Sequence, residues 1–225
     1  MAAEVQRQLL GVAVVTLWLT LVAGGAVMLR ARWPQHKEWS RKLVHIGSGA
    51  VVLLAWGFDI SRPVALGAAL TATVLTSLNH RFRLLGAIED VGRRSYGTIA
   101  YGASISLLLA LFWPQQPAAV AAGVLVMAVG DGLAGLVGAS VPSTSWSLLG
   151  QRKSLLGTTT MAAASLAVLT GLWITSGCGA AWGSAAQPLL LITLVATLLE
   201  QVAVAGLDNF SVPVAVGLLW SQLRP

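Results

Sequence analysis

The chain has 225 residues, of which 56% are hydrophobic and 10% are charged, and its mean hydropathy is +0.78. Soluble domains are about 45–50% apolar and about 25% charged, so this composition excludes an ordinary soluble enzyme and also an intrinsically disordered chain. The net charge of +6 is explained by basic residues that flank membrane spans and does not call for a nucleic-acid partner, and the single cysteine, Cys178, excludes an intrachain disulfide.

Seven apolar stretches are long enough to cross a bilayer, since about 20 helical residues span about 30 Å. They predict an all-α, multi-pass membrane protein in which residues 1–225 form a single membrane-embedded domain. The first stretch is interpreted as a retained span because its apolar core is too long for a signal peptide. An eighth stretch, 212–222, is short and fits either a tilted span or a half-span. The predicted spans lie near residues 8–29, 43–59, 63–80, 97–113, 117–139, 156–176 and 186–206.

The basic residues predict the orientation of these spans. Of the 14 lysines and arginines, all but Arg7, Arg62 and Arg224 lie in the loops that follow the first, third and fifth spans. Because cytoplasmic loops carry the excess of Lys and Arg, these three loops are expected in the cytoplasm and the N-terminus outside.

One acidic residue, Asp131, interrupts the fifth predicted span about 12 Å before its cytoplasmic end. An ionised group at such a depth costs roughly 2.5–3.5 kcal/mol or more and normally faces the protein interior with a partner. Small residues, Gly130, Gly135 and Gly138 among them, surround the acid and leave room for a ligand. The alternative is a small-residue contact between helices.

A second acid, Glu200, lies about 9 Å before the cytoplasmic end of the seventh span, and Asp208 and Asn209 follow it in the next loop. Three carboxylates on one side of the membrane suit Mg²⁺, which takes one or two carboxylates together with substrate phosphates. A buried hydrogen bond between helices explains Glu200 equally well.

A basic segment precedes the sixth predicted span. Arg152, Lys153 and Ser154 are followed by Gly157 and Thr158, so cations, hydroxyls and the amide groups of a helix start come together in a pattern that favours phosphate binding. A plain cytoplasmic anchor explains the charges but not the hydroxyls. The spacing of a Walker A loop is absent.

Two further polar clusters precede spans on the same side. Arg41 and His45 are four residues apart, hence on one helix face, although a lone histidine is more often structural than catalytic. Arg93 and Arg94 are candidates to assist in phosphate binding, with neutralisation by neighbouring acids as the alternative. The secondary site candidates are Arg41, Lys42, His45, Tyr96 and Asn209.

Taken in chain order, these motifs resemble the dolichol kinase and phytol kinase family of membrane enzymes, over roughly residues 38–217. The short chain is similar to the phytol kinase branch. The motifs are Arg41-Lys42-x-x-His45-x-x-x-Gly49, Arg94-x-Tyr96-Gly97-Thr98 with Tyr101, Gly130-Asp131-x-x-Ala134-x-x-x-Gly138, Lys153-Ser154-x-x-Gly157-Thr158, and Glu200 followed by Asp208-Asn209-x-x-Val212-Pro213.

The resemblance implies CTP, or UTP, as phosphoryl donor, a divalent metal, and phytol or a related prenyl alcohol as acceptor, on a route of isoprenoid metabolism that leads to tocopherol. Asp131 and Glu200 are then the expected catalytic residues, and with Asp208 the expected metal ligands; whether Asp131 binds the metal or orients the hydroxyl stays open. A long-chain alcohol stays in the bilayer and CTP in the cytosol, so the active site is expected at the cytoplasmic face.

Two other classes of function are compatible with the same residues. One is a different lipid enzyme, a CTP-dependent phosphatidate cytidylyltransferase or a diacylglycerol kinase-like enzyme. The other is a small transporter. It is less favoured because transporter sites lie near the bilayer midplane and often accompany internal repeats, whereas these acids lie nearer one face and no repeat is evident.

Overall fold

The computed structural model describes residues 2–82, 96–176 and 182–223, and within these ranges nearly all of the chain is helical. The predicted all-α fold is confirmed. A π-helical segment, Val126–Asp131, joins the helix that ends at Leu125 to the helix that begins at Gly132. The helices are α1 (Ala2–Arg32), α2 (Lys37–Gly49), α3 (Val51–Gly57), α4 (Arg62–Phe82), α5 (Gly97–Phe112), α6 (Pro117–Leu125), α7 (Gly132–Ser140), α8 (Leu155–Thr175), α9 (Trp182–Val202) and α10 (Asp208–Gln222).

Among the described residues, four helical stretches are long and apolar enough to cross a membrane: Ala2–Arg32, Pro117–Ser140, Leu155–Thr175 and Ala185–Val202. Helix α5 is apolar but shorter. These stretches agree with a membrane protein, and helices also occupy the other predicted spans. That all seven spans cross the bilayer stays a prediction.

The second predicted span is divided in the structure. Helix α2 ends at Gly49 and α3 begins at Val51, with Ala50 between them. The eighth stretch forms the 15-residue helix α10, which packs against α5, α6 and α9. Helix α1 packs on α2 and α3, but most of its surface is exposed, as expected of a helix that faces lipid.

The core of the bundle is the continuous stretch formed by α6, the π-segment and α7. Every residue from Ala119 to Ala128 is buried, so this stretch has neighbours on all sides. A helix that is apolar all round is expected in just such a central position. Asp131 ends the π-segment, and π-helical turns inside α-helices often occur at functional sites.

The structure also contains a β-hairpin that the sequence analysis did not predict. Strand β1 (Ser145–Leu148) pairs with β2 (Gln151–Ser154) in antiparallel register, and Lys153 lies opposite Trp146. Leu149 and Gly150 both have positive φ, at 50° and 75°, as a two-residue type I′ turn requires. Leu149 is an unusual residue for that conformation, which is why the turn gave no clear signal.

Candidate functional site

A polar pocket of about 600 Å³ lies at one end of the bundle. Helices α2, α8 and α10 contribute their N-terminal ends, α7 and α9 contribute their C-terminal ends, and the hairpin closes one side. Its volume is within the range of about 300–1,000 Å³ for small-molecule sites. The pocket gathers most of the residues proposed from the sequence, namely Arg41, Lys42, Asp131, Gly135, Gly138, Arg152, Lys153, Ser154, Gly157, Thr158, Glu200, Asp208 and Asn209.

Asp131 forms an ion pair with Lys42 in the wall of this pocket. Lys42 Nζ lies 2.6 Å from Asp131 Oδ2 and also donates to the Asp131 carbonyl oxygen at 3.0 Å. His45, one helical turn further along α2, places Nε2 3.5 Å from the same Oδ2. The Lys42 side chain is only 5% exposed, so Asp131 supplies the counter-charge that a buried lysine requires.

The glycines around Asp131 have different roles in the structure. A Cβ atom at Gly135 would lie 2.6 Å from Lys42 Cε, so the glycine gives the lysine its path to Asp131. A Cβ at Gly130 would lie 2.8 Å from both Met161 Sδ and Ser165 Oγ in the core. Gly130 does not line the pocket. Its place among the nucleotide-binding residues stays a prediction, and in the structure it has the helix-packing role given as the alternative.

The second ion pair joins Lys153 on β2 to Glu200 on α9. Lys153 Nζ donates to both the Glu200 carboxylate and the Glu200 carbonyl oxygen, the latter at 2.6 Å. Gln201 Nε2 donates to the other carboxylate oxygen at 2.7 Å and to Thr158 Oγ1 at 2.9 Å. Glu200 thus links the hairpin, α9 and the first turn of α8.

The first amide groups of α8 already have partners within the protein. Leu155 N–H donates to Thr144 O at 2.8 Å, Leu156 N–H to Ser143 Oγ at 3.4 Å, and Gly157 N–H to Ser154 Oγ at 3.1 Å. Ser154 is therefore an N-cap residue, which satisfies a helix-end donor. Phosphate binding by this segment stays a prediction, and it depends on the cations rather than on free amide groups.

Gly138 and Gly157 permit close contact between α7 and α8. A Cβ at Gly138 would lie 3.3 Å from the Gly157 Cα, and a Cβ at Gly157 would lie 3.3 Å from the Ala134 carbonyl oxygen. Each glycine therefore has a packing role between the two helices. Both also line the pocket, where they are open to contact with a ligand.

The pocket also contains two arginines in more open positions. Arg152 is exposed and donates to Ser145 Oγ at 3.3 Å across the hairpin. Arg41 is half-buried, and its Nε and Nη2 atoms donate to Glu38 Oε2 at 3.0 and 2.6 Å. An arginine near the mouth of a pocket can bind phosphate oxygens in a bidentate manner.

Asp208 and Asn209 complete the pocket at the start of α10. Asn209 Nδ2 donates to Asp208 Oδ1 at 3.1 Å. Burial, and then the negative charge of Asp131, raise the pKa of the Asp208 carboxyl. A cation bound near Asp208 and Asp131 would offset the repulsion between their negative charges.

The three carboxylates predicted as Mg²⁺ ligands share the pocket but do not form a ready-made metal cluster. No group of three or more His, Cys, Asp or Glu side chains suited to a metal ion occurs within residues 2–82, 96–176 and 182–223. Asp131 and Glu200 each pair with a lysine instead. Because Mg²⁺ commonly takes one or two carboxylates and completes its shell with phosphate oxygens and water, this donor set fits a metal that arrives with a nucleotide.

Three remaining candidates have a different outcome. Arg93 and Arg94 lie outside the described residues. Tyr96 does not line the pocket: its ring lies 5.1 Å from the His80 ring, and its N–H donates to Ala205 O at 3.1 Å. A role for Tyr96 in the site stays a prediction.

Gln201 is a further residue of the pocket that was not predicted from the sequence. It follows Glu200 directly and bridges that carboxylate to Thr158, and its Oε1 is the buried side-chain atom without a hydrogen-bond partner in the described part of the chain. A polar residue beside an acid at the end of an apolar span was the available signal. Tyr101 also supports the site, since its ring lies 4.7 Å from the ring of His45.

The helices and this pocket define a membrane protein with a charged pocket at one end of its helical bundle. Among known proteins, the chain is 41% identical to the phytol kinase of a Synechocystis species over 175 residues, which cover 77% of this chain and 71% of the relative. It is 30% identical to "Probable phytol kinase 1, chloroplastic" of Glycine max, over 87% of this chain and 72% of the relative. It is 28% identical to "Phytol kinase 1, chloroplastic" of Arabidopsis thaliana, over 78% of this chain and 63% of the relative.

The chain belongs to the phytol kinase family, a family of phosphotransferases that act on an alcohol. The resemblance stated from the motifs is thereby confirmed. No protein-family model matches the chain, and no solved structure matches it.

Proposed function

We propose that the protein transfers the γ-phosphoryl group of CTP to phytol or a related prenyl alcohol at the cytoplasmic face of the membrane. The observation that carries this proposal is the single pocket in which Lys42–Asp131 and Lys153–Glu200 lie together at one end of an apolar bundle. Phosphoryl transfer depends on positioning and charge stabilisation, which fixed carboxylates and cations supply.

The substrates meet where the pocket lies. A C20 alcohol stays in the bilayer because each buried CH₂ group contributes about 0.8 kcal/mol, and its hydroxyl lies near the headgroups. The nucleotide is confined to water. The pocket end of the bundle carries Arg41, Arg152 and Lys153, and the excess of basic residues in the adjoining loops supports a cytoplasmic location for it.

In the proposed reaction, the alcohol oxygen attacks the γ-phosphorus, the bond from that phosphorus to the β–γ bridging oxygen breaks, and CDP leaves. Lys42 and His45 both face Oδ2 of Asp131, so Oδ1 is the oxygen that we assign to the substrate side. Asp131 orients the attacking hydroxyl and accepts its proton as the new P–O bond forms.

The cations of the pocket bind the phosphates in this proposal. Arg152 is exposed and able to reach a triphosphate at the mouth, and Lys153 is held in place by Glu200. Mg²⁺ bound with the nucleotide would neutralise charge on the β- and γ-phosphates. Glu200 and Asp208 are the carboxylates that we assign to it, because this proposal gives Asp131 to the attacking hydroxyl.

The test is to give membranes that contain the protein CTP labelled at the γ-phosphate or at the α-phosphate, with a panel of lipid alcohols. A prenyl alcohol kinase puts γ label, and no α label, into an alcohol phosphate. Transfer of α label to a lipid would indicate a cytidylyltransferase and contradict the proposal. Transfer from UTP or ATP in preference to CTP would contradict the assignment of the donor alone.

A further inference from the structure

An apolar groove lies beside the polar pocket, between α1, α2 and α7. Its volume is about 420 Å³. The groove is lined by Leu29, Trp39, Leu43, Ile46, Leu136 and Ser140, so a single polar side chain interrupts an otherwise apolar wall.

The groove and the polar pocket meet. Ser140 lines both. At the inner end, Ile46 packs against Gly132, where a Cβ would lie 2.8 Å from Ile46 Cδ1, and Gly132 directly follows Asp131. The wall of the groove therefore contacts the residue that follows Asp131, and Ser140 is the residue that the groove shares with the polar pocket.

Helix α2 supplies residues to both spaces. Trp39, Leu43 and Ile46 follow one another at spacings of four and three, so they share one helix face. Lys42 lies beside this face and pairs with Asp131. One rigid helix therefore sets the position of an apolar chain relative to the reacting groups.

We infer that this groove holds the isoprenoid chain of the alcohol substrate and presents its hydroxyl to Asp131. This inference rests on the proposed function. Trp39 and Leu43 are 37% and 38% exposed, so the groove opens sideways and a lipid chain enters it from the bilayer. Because lipid tails are as apolar as the groove, little affinity comes from burial; the groove orients the chain and so aligns the hydroxyl.

The direct test is photo-labelling with a C20 prenyl alcohol that carries a diazirine in its chain, followed by mass spectrometry of the labelled peptides. We expect label on α2 between Trp39 and Ile46 and on α7 near Leu136. Excess unlabelled prenyl alcohol should reduce it, and added phosphatidylcholine should not. Label confined to other helices overturns the inference, because the alcohol then binds elsewhere. Label on the groove that phosphatidylcholine reduces equally also overturns it, because the groove then holds ordinary lipid.

A matched pair of variants gives a second test. Leu136→Trp fills the groove, whereas Leu133→Trp makes the same change at an exposed position on the same helix that does not line it. We expect Leu136→Trp to raise the KM for the C20 alcohol about tenfold or more and to leave the KM for CTP unchanged. Equal effects of the two variants would overturn the inference.

These tests separate the groove from the function on which it rests. Labelling requires no turnover, so it reports on the groove even where the alcohol is not phosphorylated. Absence of any labelled alcohol phosphate from wild-type protein would contradict the proposed function, whereas turnover with label outside the groove would contradict the groove alone.

Discussion

Lys42→Met removes the cation that neutralises Asp131 inside the bundle. Loss of one partner of a buried ion pair costs about 3–5 kcal/mol, because the other charge is left buried and uncompensated. The Lys42 side chain is 5% exposed and that of Asp131 is 16% exposed. Asp131 therefore keeps some contact with the pocket, and we expect a loss at the lower end of the range, about 3 kcal/mol.

Thermal unfolding in detergent, followed by tryptophan fluorescence, measures this loss. About 3 kcal/mol corresponds to a fall in Tm of about 6–12 °C for a chain of this size. Lys37→Met, an exposed lysine at the start of the same helix, is the matched control and should lower Tm by less than about 2 °C.

The double variant Lys42→Met/Asp131→Asn removes both charges and should be more stable than Lys42→Met alone, by about 1.5 kcal/mol. If Lys42→Met behaves like Lys37→Met, or if the double variant is destabilised by the sum of the two single changes, the ion pair does not have the structural role described here.

Three further results are expected. Gly135→Ala should displace Lys42 from Asp131 and lower kcat about 10- to 100-fold. The loss of stability should be smaller than that of Lys42→Met. An unchanged kcat would contradict the role given to the glycine. Ser154→Ala should cost about 1 kcal/mol of unfolding free energy, since it removes an N-cap, and Ser154→Thr should restore most of it. Chelation of divalent cations should abolish label transfer, and Mg²⁺ should restore it; persistent transfer would contradict the metal assignment.

The membrane fold could be predicted from the sequence because its signals are local and strong. Long apolar runs predicted the helices, and the acids at Asp131 and Glu200 stood out because ionised groups are costly in such runs. The same reasoning predicted that these carboxylates and the cations near Lys153 would gather in one place, and the structure brings them to one pocket.

The ion pairs within the pocket could not be predicted from local sequence patterns. Lys42 was only a secondary candidate, yet it is the direct partner of Asp131, 89 positions away in the sequence. That choice depends on how α2 packs against α7 across Gly135, which no local pattern encodes. The hairpin was missed for a related reason, since its turn uses Leu149 rather than a typical Asn-Gly pair.

Gly130 shows the limit of reading small residues as ligand sites. A glycine beside an acid has the same appearance in sequence whether it admits a ligand or a neighbouring helix. In the structure, Met161 and Ser165 occupy the space that a side chain at Gly130 would need, which is the arrangement of a helix contact.

The role of Asp131 in phosphoryl transfer can be measured with Asp131→Asn protein. The assay compares its transfer of γ label from CTP to a C20 prenyl alcohol with that of wild type. The asparagine keeps the shape of the side chain but removes its charge and its ability to accept a proton. We expect wild-type protein to form labelled alcohol phosphate and Asp131→Asn to form it at least about 100-fold more slowly, with the variant shown to be folded. A variant that transfers label at the wild-type rate would contradict the account of the pocket as the site of phosphoryl transfer.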